Sequence, residues 1–369
     1  MKQDLLGMTI DELKAFATEM GEKPFRGKQL FVWINRGVTD FDEMTDLSAA
    51  FRQRLKEAAV IGRTSILDVQ EDKADGTRKF LFGFGGSEDG FGGSEDGFGR
   101  SEDGFGGDAD GAFVGDAAES VFMKYKYGNT LCVSSQIGCR MGCKFCASAL
   151  GGFVRNLTAG EMLSQVLTAE AATGETINHI VVMGMGEPFD NYENLAKFLQ
   201  LLHDPNGKNM SYRNMTVSTS GLIPGIQRFA KDFPQAGLAI SLHRMTDEGR
   251  SSIMPINRKY PLAQLLKAAR EYTEETSRRI TFEYTLIRGE NDSDADVALL
   301  KKHLRGMLCH VNLIPLNKVE ETGLTGSSRK RAEEIAEQLM AAGISATVRR
   351  ELGSEIDGAC GQLRLRNKK

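Results

Sequence analysis

No stretch of this chain approaches the ~18 consecutive apolar residues that a membrane-spanning helix needs, so no membrane partner is expected. The opening residues, Met1 to Met8, hold no long apolar run and soon turn acidic, which argues against a secretory signal. A cytoplasmic, reducing setting is therefore expected, where grouped cysteines serve metals or catalysis rather than structural disulfides. Histidine is scarce: there are five, and none lies within thirty residues of the cysteines at 139–146. That removes the histidine partner of a mixed Cys/His zinc site. A second C-x2-C pair is missing too, and structural zinc ligands usually come as two separated pairs. The one tryptophan, Trp33, lies at helical spacing from Leu30 and suits a core better than a base-stacking platform.

What is there fits an ordinary globular protein. Of 369 residues, 41% are hydrophobic and 26% charged, enough for a large core and more than one domain. The net charge of −4 misleads. Residues 84–111 carry eight acidic side chains and one Arg, a net of −7, so the rest of the chain stands at +3. Basic clusters occur at Lys124/Lys126, Arg278/Arg279, Arg349/Arg350 and from Arg364 to Lys369. A mildly basic body suits a nucleic-acid partner, although such pairs are also ordinary solvated surface.

Residues 1–60 read as a helical accessory domain. Thr9-Ile-Asp-Glu12 is a capping box that opens the amphipathic run Leu13, Phe16, Ala17, Met20, and Gly21 stops it. Further helices are expected after Pro24 and over 49–59. Lys23, Arg26 and Lys28 could touch RNA phosphates, or could simply flank a solvated helix start. Residues 61–130 read as a β-hairpin extension, with strands over 64–69, 79–82 and 120–125. Inside it lies a period-seven repeat over 84–111: FGGSEDG twice, then FGRSEDG, then FGGDADG. Eleven of these 28 residues are glycine, which excludes a coiled-coil heptad. A flexible, disordered acidic surface insertion is expected there.

From 131 to 350 strands and helices alternate, which implies parallel βα units. Six apolar runs are expected as strands: 131–137, 177–183, 215–218, 236–242, 280–287 and 311–314. A last helix is expected over 327–342. The fold class is α/β, a partial (βα)6 barrel, with active groups at the C-terminal rim of its strands. Residues 351–369 form a separate C-terminal segment.

Cys139-Arg-Met-Gly-Cys143-Lys-Phe-Cys146 follows the first of these strands. Thiolates suit iron–sulfur clusters and zinc. A [4Fe–4S] cluster has four irons, so three cysteines leave one iron open for another ligand. With Phe145 before the last cysteine, the pattern resembles the CxxxCxΦC signature of the radical S-adenosylmethionine (SAM) enzymes. In that superfamily the open iron chelates SAM, which is cleaved to a 5′-deoxyadenosyl radical. A metal-containing, non-catalytic RNA-binding protein is the alternative from a different class. At the same rim fall Gly184-Met-Gly186-Glu187-Pro188, Ser218, Ser241-Leu242-His243 and Asn317, small polar groups suited to a nucleoside cofactor. Two cysteines stand apart: Cys132, and Cys360 in a Gly-rich polar stretch. Cys309, before an apolar strand, reads as core.

These motifs, with Cys132-Val-Ser-Ser-Gln-Ile-Gly-Cys139, Gly151 to Leu157, Val311 to Asn317 and Ala359 to Leu363, resemble the RlmN/Cfr family of radical SAM RNA methyltransferases. The resemblance covers nearly the whole chain except about 84–113. It implies a [4Fe–4S] cluster on Cys139, Cys143 and Cys146, and SAM bound by Gly186, Glu187, Ser218, Ser241, Leu242, His243 and Asn317. It implies two SAM per turnover, with Cys360 as the S-methylcysteine intermediate. Cys132 would resolve an RNA–protein crosslink through a transient disulfide with Cys360, and Glu119 would be the proton acceptor. The implied substrates are an adenine of 23S rRNA, in the peptidyl-transferase region, and the adenine beside the anticodon of tRNA. Methylation at C2 is expected, with C8 as the rival regiochemistry that confers antibiotic resistance. A flavodoxin-type electron donor and a monomeric state complete the expectation.

Overall fold

The computed structural model describes residues 2–85, 116–316, 323–350 and 356. The acidic repeat beyond residue 85, Asn317 and Cys360 lie outside the described residues.

Three short helices open the chain: α1 (Ile10–Glu19), α2 (Phe25–Asn35) and α3 (Ala49–Ala58). Thr9 and Glu12 form the reciprocal capping box expected of them, which satisfies two otherwise orphaned donors at the helix start. A two-stranded parallel sheet ties this region together, β1 (Gln3–Asp4) against β2 (Ala59–Val60). Leu13, Leu30, Phe31, Phe51 and Leu55 share one contiguous apolar core with the strands that follow. Trp33 packs at its margin and donates from Nε1 to Asp46 at 2.6 Å.

One ten-stranded sheet dominates the rest. Its antiparallel side comprises β3 (Ser65–Glu71), β4 (Arg78–Phe84) and β5 (Asp116–Tyr125), which leads into β6 (Gly128–Cys132). From β6 onward the strands run parallel: β9 (His179–Val182), β10 (Met215–Thr219), β11 (Gly237–Ser241), β12 (Ile280–Leu286), β13 (Cys309–Pro315) and β14 (Ser345–Val348). The crossovers are mainly helical, with α5 (Ala159–Thr173), α6 (Tyr192–His203), α7 (Ile223–Asp232), α8 (Asp247–Ile253), α9 (Leu262–Thr276), α10 (Asp294–Leu304) and α11 (Arg329–Ala341). Among the described residues β14 and β3 stand at the two ends of the sheet and do not pair with each other, so the barrel is partial. Six strands carry the βα repeat, and β14 adds a seventh parallel strand on β13.

Two expectations need correction. The apolar run 131–137 is not one strand. After β6 ends, the amides of Ser135 and Gln136 donate to Met185 O, and the Ser134 amide donates to Gln165 Oε1. With its donors met there, the chain leaves the large sheet. It forms β7 (Gln136–Gly138), which pairs with β8 (Phe153–Asn156) in a separate hairpin. A short helix, α4 (Ala147–Leu150), lies between them. The acidic repeat also begins later than its first motif suggests. Phe84 belongs to β4, is buried in the core and pairs with Asp116.

Strand alternation sorts the side chains onto two faces. Phe80, Phe82, Phe122, Leu131, Ile180, Val217, Leu238, Ile240, Phe282 and Val311 enter the core. The alternate positions are Lys79, Glu119, Cys132, Ser218, Ser241, Glu283 and Asn312. They therefore lie on the opposite face, and most are polar.

Candidate active site

The cysteine loop starts at the end of β7. Gly138 has φ +74°, and a Cβ there would meet Gly152 O at 1.7 Å. Only glycine allows the two arms of the hairpin to close this tightly. The Cys139 amide donates to Gly152 O at 3.1 Å, and the Lys144 amide donates to Ile253 O at 3.0 Å. The loop is thus anchored at both sides. Cys139, Cys143 and Cys146 are half-buried free thiols. Burial pushes Cys139 up to about 12, and the negative charge of the Cys146 thiolate adds to that. Burial raises Cys143 as well, with Cys146 and Cys139 adding to it.

With ionisation of Cys139 and Cys143 opposed by burial and by the neighbouring thiols, a cation among them would be favoured. No three His, Cys, Asp or Glu side chains among the described residues converge on a single point, as a mononuclear metal would need. A cubane is different: its cysteines bind different irons, so their sulfurs need only surround it. The all-thiol donor set, with no fourth His, Cys, Asp or Glu converging on it among the described residues, fits an iron–sulfur cluster.

The neighbouring rim is built from three strand ends. Gly186 has φ +104°, and a Cβ there would meet the Gln136 amide nitrogen at 2.8 Å, leaving the backbone close to the cysteine hairpin. Gln136 laces the two together. Its Oε1 accepts from the Glu187 amide at 2.8 Å, and its Nε2 donates to Asp190 Oδ2 at 2.8 Å. Arg140, inside the cysteine loop, pairs with Asp190 at 3.0 Å and stacks on Phe153. Glu187 is buried and its carboxylate serves the chain itself. It accepts from Thr219 Oγ1 at 2.8 Å, from the Ser220 amide at 2.7 Å and from the Phe189 amide at 3.2 Å. A carboxylate has about four lone-pair sites, so those bonds leave capacity for an ammonium donor.

Ser218 and Ser241 are half-buried on the face opposite the core. Leu242 turns its side chain into the core and donates its amide to Glu283 O at 3.0 Å, so it reaches the rim through backbone alone. His243 is buried with φ +57°, a left-handed conformation that a non-glycine residue adopts only when its surroundings impose it. Its Nδ1 accepts from the Thr285 amide at 2.9 Å, and its ring meets Phe145 edge-on at 4.7 Å. Burial pulls His243 down to about 3, so the ring is neutral. The aromatic residue of the cysteine motif thus packs directly on the end of β11.

Arg250 was invisible to sequence reasoning and is central here. Fully buried on α8, it donates to Ser220 O at 2.6 Å, Ser241 O at 3.0 Å, Leu242 O at 3.2 Å and Asn257 Oδ1 at 3.1 Å. It ties the ends of β10 and β11 together with a guanidinium whose charge also favours the Cys143 thiolate. No local pattern around Asp247-Glu-Gly-Arg250 marks it.

Cys132 and Glu119 occupy the antiparallel side. Cys132 ends β6 and pairs with Val121 of β5 and Val181 of β9. Burial pushes its thiol up to about 11. Glu119 is buried and its carboxylate meets Lys79 Nζ at 2.8 Å. Lys79 was also missed, although its place among Phe80 and Phe82 puts it on the non-core face by alternation. The structure therefore brings Cys139, Cys143, Cys146, Gly186, Glu187, Ser218, Ser241, Leu242 and His243 to one rim, and Glu119 beside Cys132 on the same sheet.

A (βα) partial barrel with an anchored three-cysteine loop at its rim defines a radical SAM enzyme. The comparisons agree. A family model described as the radical SAM superfamily matches residues 133–300, and one described as the ribosomal RNA large subunit methyltransferase N-terminal domain matches residues 3–61. The chain is 47% identical over 363 residues to a probable dual-specificity RNA methyltransferase RlmN of Clostridium perfringens (strain SM101 / Type A), covering 98% of this chain and 96% of the relative. Identity is 46% over 366 residues to the protein of that name in Alkaliphilus oremlandii (strain OhILAs), covering 99% and 98%. The crystal structure of a radical SAM methyltransferase from Sphaerobacter thermophilus matches with a TM-score of 0.85 at 40% identity, covering 98% of each chain. The chain belongs to the RlmN family of radical SAM RNA methyltransferases, a family that implies a [4Fe–4S] cluster and SAM. No helix among the described residues is long and apolar enough to cross a membrane.

Proposed function

We propose that this enzyme methylates C2 of one adenine in 23S rRNA and of the adenine beside the anticodon in tRNA. The observation that carries the reading is the shared face. Cys132 and Glu119 lie on the same side of the sheet as Ser218 and Ser241, with the cysteine loop at its rim. Adenine C2 is electron-poor and does not attack a methyl sulfonium, so an ordinary displacement fails and a radical cofactor is required. Bound to Cys139, Cys143 and Cys146, the cluster with SAM supplies the hydrogen-abstracting radical. Gly186, Glu187, Ser218, Ser241, Leu242, His243 and Asn317 hold and orient SAM.

The chain's own residues do the rest. Cys360 takes a methyl group by displacement and presents it to the adenine; after loss of one hydrogen atom that carbon would join C2, and the radical adduct would give up its surplus electron to the bound cluster. Glu119 accepts the proton that C2 must lose. The Cys132 thiolate then attacks the sulfur of Cys360. The S–C bond breaks, its electron pair goes to the carbon, and that carbon takes a proton to become the new methyl group. Covalent catalysis with a resolving thiol has this logic generally. Helices of the first 60 residues and the basic surface bind RNA shape and phosphate. Residues 61–130 support the base and resolving thiol, 131–350 the radical chemistry, and 351–369 the methyl carrier. The enzyme acts in the cytoplasm as a monomer served by a flavodoxin-type donor.

Anaerobic reconstitution with SAM and an RNA fragment, followed by mass spectrometry of the nucleosides, tests the reading. 2-Methyladenosine is expected. 8-Methyladenosine without the 2-methyl isomer overturns the regiochemistry, and a colourless zinc protein without methylated product overturns the enzyme class.

A further inference from the structure

Before SAM can be cleaved, one electron has to reach the cysteine loop from another protein. Electron transfer between proteins slows steeply with distance, so the donor must meet the chain where Cys139, Cys143 and Cys146 come nearest to solvent. That place is the loop itself. Its thiols are half-buried. Gly142, between Cys139 and Cys143, is exposed with φ +67° and carries no side chain to hold a partner away.

Two pairs of exposed cations flank this point. Arg140 and Lys144 come from the loop. The Lys144 amide donates to Ile253 O, which brings the end of α8 against the loop. A Cβ built on Gly142 would touch Pro255 Cγ at 3.6 Å. Pro255–Arg258 is a 3-10 turn, in which positions three apart stand one above the other. Arg258 therefore continues the side on which Pro255 meets Gly142, while buried Met254 and Asn257 mark the opposite side. Arg258 and Lys259 are both exposed. Among the described residues only Arg140 of these four has a carboxylate partner, Asp190 at 3.0 Å. Lys259 lies over the Tyr260 ring. Asp247 and Glu248 open α8 at its far end, and Asp247 is engaged by Asn257 Nδ2 and the Leu262 amide. The patch is thus a cationic surface rather than a set of ion pairs.

We propose that Arg140, Lys144, Arg258 and Lys259 form the docking surface for an acidic one-electron carrier protein. The proposal rests on the reading that such a carrier reduces a cluster held by Cys139, Cys143 and Cys146. In the step itself the carrier loses one electron, the oxidised cluster gains it, and no atom moves between them. Electron-transfer encounters are small and weak, and opposite charge sets their orientation and on-rate. RNA is also an anion, but its target base belongs on another side. The loop reaches β5, which carries Glu119, through β7, whereas the four cations gather where the loop meets α8. Carrier and RNA therefore bind together without competing.

The test is stopped-flow reduction of the anaerobic holoenzyme, followed by bleaching of its iron–sulfur absorbance. Flavodoxin hydroquinone serves as the acidic carrier and reduced methyl viologen, a small cation, as the reference reductant. Arg258→Glu/Lys259→Glu is expected to slow reduction by flavodoxin about tenfold at low ionic strength, the order by which charge-steered rates fall when the opposite charge is lost. The gap should shrink in high salt, and the viologen rate should not fall. Arg279→Glu/Arg305→Glu makes the same charge change ahead of β12 and β13, at the other end of the strands from the loop, and should leave the flavodoxin rate as in wild type. Equal slowing by both double variants would make net charge the cause and overturn the surface. A wild-type flavodoxin rate in Arg258→Glu/Lys259→Glu, or slowing of both reductants there, overturns it too. Weaker binding of an RNA fragment by that variant, with its flavodoxin rate unchanged, gives the patch to RNA instead. If flavodoxin fails to reduce a wild-type enzyme that viologen reduces, the donor reading falls and the docking surface with it.

Discussion

The two sides of the ten-stranded sheet solve different problems. On the parallel side, chemistry sits on loops beyond strand ends: the cysteine triplet, the glycine turn at 184–188 and the left-handed His243. Backbone bonds and interlocking side chains such as Gln136, Asp190 and Arg250 hold those loops. On the antiparallel side, the candidate groups sit within the strands: Lys79, Glu119 and Cys132, placed by register. Loops let a bulky cofactor approach the backbone closely. Strands hold an ion pair and a thiol in fixed relation, as the proposed proton transfer and thiol attack would require.

The comparison is broken most severely at the cysteine loop. Cys143→Ala is expected to remove the iron–sulfur absorbance and all methylation while far-UV circular dichroism stays as in wild type, because the loop is anchored by backbone bonds at Cys139 and Lys144. Collapse of the whole fold would contradict the separation of loop and scaffold. Next in size is Gly186→Ala. A Cβ there enters the Gln136 backbone at a positive φ, a conformation that costs about 1–3 kcal/mol for other residues. Isothermal titration should show weakened SAM binding, and thermal unfolding a lower midpoint.

His243 gives a smaller, pH-dependent effect. Its folded-state value is about 3 against 6.5 for the free ring. The unfolded chain therefore takes up a proton near 6.5, and the folded chain only near 3. Stability from the neutral ring is present above pH 6.5 and is lost as the pH falls toward 3. At pH 5 the loss is about 2 kcal/mol. Comparing urea midpoints at pH 7.5 and 5 in wild type and in His243→Asn, which tolerates the left-handed backbone, should show that part of the acid sensitivity disappears. Smallest of all is deletion of 86–111, which keeps Phe84 in β4. Methylation at the wild-type rate is expected, and a tenfold loss would assign the acidic repeat a role.

Much of the parallel side was legible in the sequence because its signals are local. At the N-terminal helices, too, the capping box at Thr9/Glu12 formed as read from the sequence. The cysteine spacing and the glycine turn each lie within eight residues. Small polar residues at the ends of the expected strands marked Ser218 and Ser241. The antiparallel side was less legible. Lys79 and Glu119 stand forty residues apart with the acidic repeat between them, and only strand pairing brings them together. Arg250 reads as a surface charge until α8 folds it under β10 and β11. The run 131–137 looked like one strand because its apolar pattern allowed it, and hydrogen bonds donated by the amides of Ser134, Ser135 and Gln136 to Gln165 Oε1 and Met185 O decided otherwise.

The central claim is that the antiparallel side completes what the cysteine loop begins, with Cys132 releasing the RNA from Cys360. The direct measurement is mass spectrometry of Cys132→Ala holoenzyme after reaction with SAM and RNA. The account predicts an accumulating covalent adduct, with one carbon bridging the sulfur of Cys360 and C2 of the target adenine. Free methylated RNA at the wild-type rate, with no adduct, would contradict it.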